Sequence, residues 1–164
     1  MPTTTKASLT IPLPLRLTLL VLEPLTALNG AYLTLFQPLS YHTAITRPSP
    51  VWSPPFSPQN QYLYTQLAAA WLVFAFNESV VLYLYDDLRL WKLMCWGMLI
   101  SDAVYHVSAV QAVGGWERFA GVGGWNGFDW AVAICAGGAA VVRVWIVGFV
   151  KGEGGEGKGK GKGE

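Results

Sequence analysis

Four long apolar stretches constrain this 164-residue chain more than any other feature of its sequence. They run from Leu13 to Phe36, from Leu63 to Tyr85, from Leu90 to Val113 and from Phe128 to Val150. Each stretch exceeds the roughly 20 residues that a helix needs to cross about 30 Å of hydrocarbon. The sequence therefore predicts an all-α fold, a four-span transmembrane helical bundle.

The composition agrees with a single membrane domain. Hydrophobic residues make up 52% of the chain and charged residues only 13%, unlike an average soluble domain. A net charge of +1 without a cluster of Lys and Arg gives no reason to expect a nucleic-acid partner. We predict an N-terminal segment at residues 1–10, a transmembrane domain at 11–151 and a disordered Gly/Lys/Glu tail at 152–164.

The placement of Lys and Arg predicts an orientation. The N-terminus, the second connection and the C-terminus share one side, which carries Lys6, Arg16, Arg89, Lys92, Lys151, Lys158, Lys160 and Lys162. The opposite side carries only Arg47 and Arg118. By the positive-inside rule both termini are expected in the cytosol, in the endoplasmic reticulum or another endomembrane.

The connections differ in length and composition. Residues 37–61 contain six prolines, and this density favours an extended luminal loop without regular helix. The second connection is short and predicts that the second and third stretches are antiparallel neighbours. In the third connection, Trp116 and Trp125 follow Gly-Gly pairs and are typical of interfacial anchors on flexible backbone.

Ionisable side chains lie inside all four apolar stretches. They are Glu23, Glu78, Asp102 with His106, and Arg143. Charge at membrane depth costs at least a few kcal/mol per residue and therefore usually faces a bundle interior and a partner. At a rise of about 1.5 Å per residue, all these groups fall in the half of the membrane that contains the termini. We therefore expect them to meet in one polar layer.

Three carboxyl groups, one guanidinium and one histidine cannot all stay charged in a low-dielectric layer. A protonated acid beside an ionised one is the arrangement that acid–base catalysis needs. The layer would equally suit an apolar ligand with a cationic or hydroxyl group. The catalytic candidates are Asp102, His106, Glu78 and Glu23, with Asp102 and His106 sharing a helix face as proton carriers. The ligand-binding candidates are Asn77, Arg143, Tyr105 and Asn29.

Other interpretations of these residues stay open. Arg143 could pair with Glu78 only to fix the register of the helices. Asp129 is expected to cap the start of the fourth helix. No metal or other cofactor is predicted, because no stretch carries the Glu-x-x-His pairs of di-iron bundles. Whether the protein is an enzyme is left undecided by the sequence.

A non-catalytic scaffold or accessory subunit is the alternative function. In the fourth stretch, Ala133 and Gly137 have the small-x-x-x-small spacing that permits close helix approach. This spacing predicts a homo- or hetero-oligomer assembled through the fourth stretch. The leading hypothesis remains a membrane protein that binds a sterol- or isoprenoid-like molecule, with acid–base chemistry of the isomerase or cyclase type as an added step.

Short segments resemble a known family. LEP and NGAY in the first stretch, FNESVVL in the second, SDAVYH in the third and WNGFDW before the fourth resemble small four-span fungal membrane proteins that share a domain of unknown function. Over residues 11–150 this resemblance implies architecture and no activity. A looser similarity, carried by Glu78, His106 and the Lys-bearing tail, is to the EXPERA group of emopamil-binding sterol isomerases and the sigma-2 receptor. The His-x-x-x-Glu pattern of the isomerases is absent, and the similarity implies only a sterol-type ligand.

Overall fold

The computed structural model describes residues 5–47 and 55–151 of the chain. The predicted disordered tail at 152–164 lies outside the described residues, as does Trp52 with the prolines around it.

Four long helices dominate the described structure and bear out the all-helical prediction. They span Leu13–Phe36, Pro58–Leu84, Leu88–Val113 and Gly127–Phe149, and all four are long and apolar enough to cross a membrane. We call them the first, second, third and fourth spans. Their outward side chains are large, apolar and exposed, for example Leu93, Ile100, Ile134 and Val141. The described residues contain no β-strand, and the architecture is that of a multi-pass membrane protein.

Shorter helices lie between and before the spans. Ala7–Thr10 precedes the first span, and Pro38–Thr46, here named the connecting helix, follows it. A helix at Trp116–Ala120 and a 3₁₀ turn at Val122–Gly124 lie before the fourth span. The flexible backbone expected around Trp116 is therefore partly helical.

The connecting helix corrects the expectation that the proline-rich connection excludes regular helix. Pro38 occupies the first helical position, where its missing N–H would have no intrahelical partner in any case. The next proline is Pro48, and the stretch between them carries none. Tyr41 is the buried anchor of this helix, since only 4% of its surface is exposed.

The spans pack as two close pairs, the first with the second and the third with the fourth. Small buried residues let the first pair approach closely, namely Ala27, Ala31, Ala68 and Ala75. The second and third spans are joined by only three residues, yet their backbones stay apart and they touch through the rings of Trp71 and Tyr105, 5.8 Å between centroids. The predicted neighbours thus meet through side chains rather than through close backbone packing.

Different contacts connect the chain segments at the two ends of the bundle. At the terminal end, the Leu88 amide donates to the Thr5 carbonyl, and Ser8 donates to Asp86. At the loop end, Arg47 binds Asp129, and the ring of Tyr41 lies edge-on against that of Phe128. The fully buried apolar residues cluster at the terminal end, where they include Leu19, Leu82, Trp91, Cys95 and Ile146.

Candidate functional site

The guanidinium of Arg143 lies at the centre of the bundle and contacts an acid from each of the other three spans. Its Nη2 donates to Glu78 Oε1 at 2.6 Å and to Glu23 Oε1, while Nη1 donates to Asp102 Oδ2. Arg143 is 2% exposed and Glu78 1%. We call these four residues the ionic cluster. The charged groups predicted to meet in one layer do so, with His106 as the exception.

Local irregularities of the helices accompany two of the three acids. The first span makes a π-helical turn over Thr18–Leu22, in which the Glu23 amide donates to the Thr18 carbonyl. Pro24 follows directly and has no N–H to continue the normal pattern. An inserted π turn shifts the helix face by about one residue, and such turns are frequent at functional sites.

The second span has a π-helical turn at Asn77–Val81, which contains Glu78. The Ser79 hydroxyl donates to the Ala75 carbonyl at 2.6 Å, which satisfies an acceptor inside the disturbed region. Asn77, a predicted ligand-binding residue, opens this turn but does not line the cavity described next. Nothing in the sequence signalled this turn, since no proline lies within it.

A cavity of about 420 Å³ extends from the ionic cluster toward the loop end, between the two close helix pairs. All four spans and the connecting helix line it, and all four members of the cluster form its polar end. The walls are largely apolar and aromatic, with Leu33, Leu67, Trp71, Phe74, Val132 and Phe128 among them. We call this space the main cavity.

Several buried polar atoms of the main cavity have no hydrogen-bond partner among the described residues. They are Oε2 of Glu23, Nε of Arg143, the indole Nε1 of Trp71 and the hydroxyl of Tyr41. A buried polar group without a partner costs about 1–3 kcal/mol, so its presence calls for a physical explanation. In a cavity large enough for a small molecule, a donor group of that molecule supplies a partner for the Glu23 oxygen, whereas the N–H groups of Arg143 and Trp71 require acceptors.

The loop end of the main cavity is formed by aromatic residues that the sequence alone did not indicate. Tyr41 of the connecting helix lines it, and burial together with the neighbouring Tyr105 and Tyr64 phenols raises the pKa of Tyr41 above its usual value. Its hydroxyl is therefore neutral at physiological pH. Gly30 lies against the Trp71 ring, where a Cβ would come within 3.1 Å of it. The glycine thus lets the ring lie flat against the first span.

His106 lies outside the ionic cluster. Its Nδ1 is 2.7 Å from the Asp102 backbone carbonyl, which can only accept, so Nδ1 carries the proton. The imidazole lines a second cavity of about 220 Å³ at the loop end, next to Asp129 and Trp125. The two residues share a helix face as expected, but the histidine bonds the backbone of Asp102 and not its carboxylate.

A group of contacts around Arg47 forms one side of the second cavity. Arg47 Nε donates to Asp129 Oδ1 at 2.9 Å, and Nη1 donates to the Arg118 carbonyl at 2.8 Å. Asp129 also accepts from the Asn126 amide while Asn126 caps the helix, so the expected capping role of Asp129 is fulfilled as half of a capping box. Arg47 has φ 49°, an uncommon value for a residue with a side chain.

The remaining predicted residues are placed as follows. Asn29 and Tyr105 line the main cavity, and Tyr105 lines the second cavity as well. Ala133 and Gly137 line the second cavity, and a Cβ on Gly137 would meet no atom within 4 Å. The catalytic, ligand-binding and assembly roles of all these residues stay predictions.

Comparisons with known proteins identify a family and no function. Neither the curated proteins nor the solved structures contain a match to this chain. Residues 8–152, which include all four spans and the ionic cluster, match the family described as domain of unknown function DUF7704. This chain therefore belongs to the DUF7704 family.

Proposed function

We propose that this protein binds an apolar, sterol- or isoprenoid-like molecule in the main cavity, with the polar group of that molecule at the ionic cluster. The observation that carries the proposal is the position of the cluster at one end of a largely apolar cavity of about 420 Å³. Small-molecule sites typically have volumes of about 300–1,000 Å³, apolar walls and a few convergent polar groups. The main cavity has each of these properties.

The number of acids argues against a purely structural role for the cluster. One carboxylate would suffice to neutralise Arg143 and to fix the register of two helices. Three contact the guanidinium, and one of them, Glu23, has an oxygen without a partner among the described residues. Each additional buried acid opposes membrane insertion. A ligand that uses the surplus acceptors explains why they are present.

Acid–base chemistry on the bound molecule is the further step of this proposal. Asp102 is the best-placed acid, because its side chain is the most exposed of the three, at 16%, and lines the main cavity. Glu23 and Glu78 would stabilise developing positive charge. His106 could exchange protons with this site only across the wall that Tyr105 forms between the two cavities.

The orientation and location belong to the same proposal. The excess of Lys and Arg at the terminal end supports cytosolic termini by the positive-inside rule. The polar end of the bound molecule would then lie in the cytosolic half of an endomembrane. Glycosylation acceptors inserted before Arg47 and after Arg118 should be modified, and the opposite pattern would reverse the orientation.

Two neighbouring alanines of the second span give a matched test. Both are exposed, but Ala70 lines the main cavity and Ala69 does not. We expect the Ala70→Phe variant to lose the small molecules that survive gentle purification, as measured by mass spectrometry of the extracted protein. The Ala69→Phe variant should retain them, since its new ring points away from the cavity lining.

The acids are tested by Asp102→Asn and Glu78→Gln in the same assay. Loss of the co-purifying molecule from a variant that still elutes as a folded bundle supports the proposal. Retention at the wild-type level in Ala70→Phe and in both amide variants would refute it. The scaffold alternative predicts instead that Gly137→Leu dissociates a larger complex in detergent while every cavity variant behaves as wild type.

A further inference from the structure

We infer that the polar group of the bound molecule is a cation, an ammonium group on an apolar body, which takes the place of a proton at the ionic cluster. This inference rests on the proposed binding function and specifies the class of its ligand. It excludes acids such as fatty acids and phospholipid headgroups with net negative charge.

The first argument is the charge of the cluster. Glu23, Glu78 and Asp102 contribute three negative charges when ionised and Arg143 contributes one positive charge, so the formal sum is −2. No Lys or second Arg lines the main cavity within the described residues. A double negative charge is strongly unfavourable in a low-dielectric interior, and protons or another cation must balance it.

The second argument is the unpartnered oxygen of Glu23. The Glu23 side chain is 11% exposed and lines the main cavity, and its Oε2 has no donor among the described residues. The carboxyl group beside it is that of Glu78, which can donate only while it holds a proton. An ammonium group brings three N–H donors and a positive charge to the same place. An alcohol brings one donor and no charge.

The walls next to the cluster also suit a cation. The Phe74 ring already lies 5.9 Å from the guanidinium carbon of Arg143, and Trp71 presents its ring system to the same cavity. Aromatic faces attract cations by their quadrupole, and tryptophan does so most strongly. A carboxylate or phosphate in this position would meet the three acids and the negative faces of the rings.

Binding should release a proton. The formal charge of −2 must be balanced in the absence of a ligand, and we expect the incoming ammonium group to take over this balance from a proton, which passes to the solvent. By linkage, the affinity should then rise about tenfold per pH unit while the amine itself remains protonated. The titratable or charged groups that line the main cavity are Glu23, Glu78, Asp102, Arg143, Tyr41, Tyr105 and Cys135, and buried Cys95 lies near the cluster.

Dodecylamine, dodecanol and dodecanoate test the inference because they differ only in the polar group. We would titrate each into the full-length protein in non-ionic micelles and measure binding by calorimetry in two buffers that differ in ionisation enthalpy. The expected result is at least tenfold tighter binding of the amine than of the alcohol, no measurable binding of the carboxylate, and release of about one proton per amine bound.

Two variants distinguish binding in the main cavity from partition of the probes into the micelles. Ala70→Phe should abolish amine binding and Ala69→Phe should preserve it. Asp102→Asn lowers the negative charge by one and should weaken binding of the amine by tenfold or more, a larger loss than for the alcohol. Its melting curve shows whether it is folded. If Asp102→Asn is not folded, the pH dependence of amine binding to the wild-type protein provides the test.

The outcomes distinguish this inference from the binding function. If amine and alcohol bind equally and Ala70→Phe abolishes both, the inference of a cationic ligand is overturned, and the proposed binding in the main cavity is retained. Tighter binding of dodecanoate than of dodecylamine would also overturn the inference of a cationic ligand. So would binding of dodecylamine without proton release. Binding of all three probes that is indifferent to Ala70→Phe would refute both the cation and the binding function.

Discussion

The two halves of the bundle use the same four helices in opposite ways. In the terminal half, side chains such as Leu19, Cys95 and Ile146 are fully buried against one another. In the loop half, the same helices line two partly open cavities of about 420 and 220 Å³. The ionic cluster lies at the boundary, as the last packed layer of one half and the polar end of the main cavity. The difference indicates that close packing in one half supports the fold, whereas the other half keeps open space between the helices.

The largest expected effect comes from removing the cation at this boundary. Arg143→Met leaves three acids without their shared partner, and breaking a buried ion pair costs about 3–5 kcal/mol. We expect the free energy of unfolding to fall by about that amount, measured by circular dichroism in micelles. Arg89→Met, at an exposed position of the third span, should change it little. If Arg143→Met melts like the wild-type protein, the ionic cluster does not stabilise the bundle.

Truncation of apolar side chains should distinguish the two halves more directly, by the loss in free energy of unfolding. Ile146 is 0% exposed in the packed half, whereas Val132 lines both cavities. Ile146→Ala should cost about 2–5 kcal/mol, because it opens a hole in a close-packed region. Val132→Ala enlarges an existing space and should cost less than about 1 kcal/mol. Equal losses for the two variants in the same unfolding assay would contradict the difference in packing between the halves.

A smaller effect is expected at the closure of the loop half. Arg47→Ala removes the ion pair with Asp129 and the bond to the Arg118 carbonyl. The amides of residues 116–124 should then exchange hydrogen faster, while those around Cys95 should keep their rates. A double-mutant cycle with Asp129→Asn should give a coupling of about 1 kcal/mol. Unchanged exchange at 116–124 would mean that Arg47 does not close this end.

The spans themselves could be predicted from the sequence because their signal is local. A helix in hydrocarbon must satisfy its own backbone, so length and hydropathy alone specify it. The meeting of Glu23, Glu78, Asp102 and Arg143 could be inferred as well, since buried charges need partners and their depths agree. These inferences use single helices and one rule of energetics.

The features that sequence reasoning missed depend on contacts between helices. The short link predicted that the second and third spans are neighbours, and they contact each other through the rings of Trp71 and Tyr105, but it did not reveal that the closest packing joins other pairs of spans. Alanines set the closer pairing of the first and second spans, and alanine alone carries no directional signal. His106 faces the second cavity because its Nδ1 is tied to the backbone carbonyl of Asp102, a bond that a helical spacing cannot distinguish from a carboxylate contact.

The smallest expected effect lies at the outer edge of the packed half, where the N-terminal segment meets the second connection. The Ser8 amide donates to Asp86 Oδ1 at 2.7 Å and its hydroxyl donates to Oδ2. Slight burial alone would raise the pKa of Asp86, but the two Ser8 bonds together with the Arg16 and Lys6 charges bring it below the usual 3.8. A lowered pKa in the folded state stabilises the protein above pH 3.8, and this contribution is lost as the pH falls through the folded pKa. Because Asp86 is largely exposed, Ser8→Ala should cost only a few tenths of a kcal/mol at pH 7 and less at pH 3. Ser40→Ala in the connecting helix serves as the control. A loss of several kcal/mol, or one that grows toward low pH, would show that the packed half depends on this contact instead of on its apolar core.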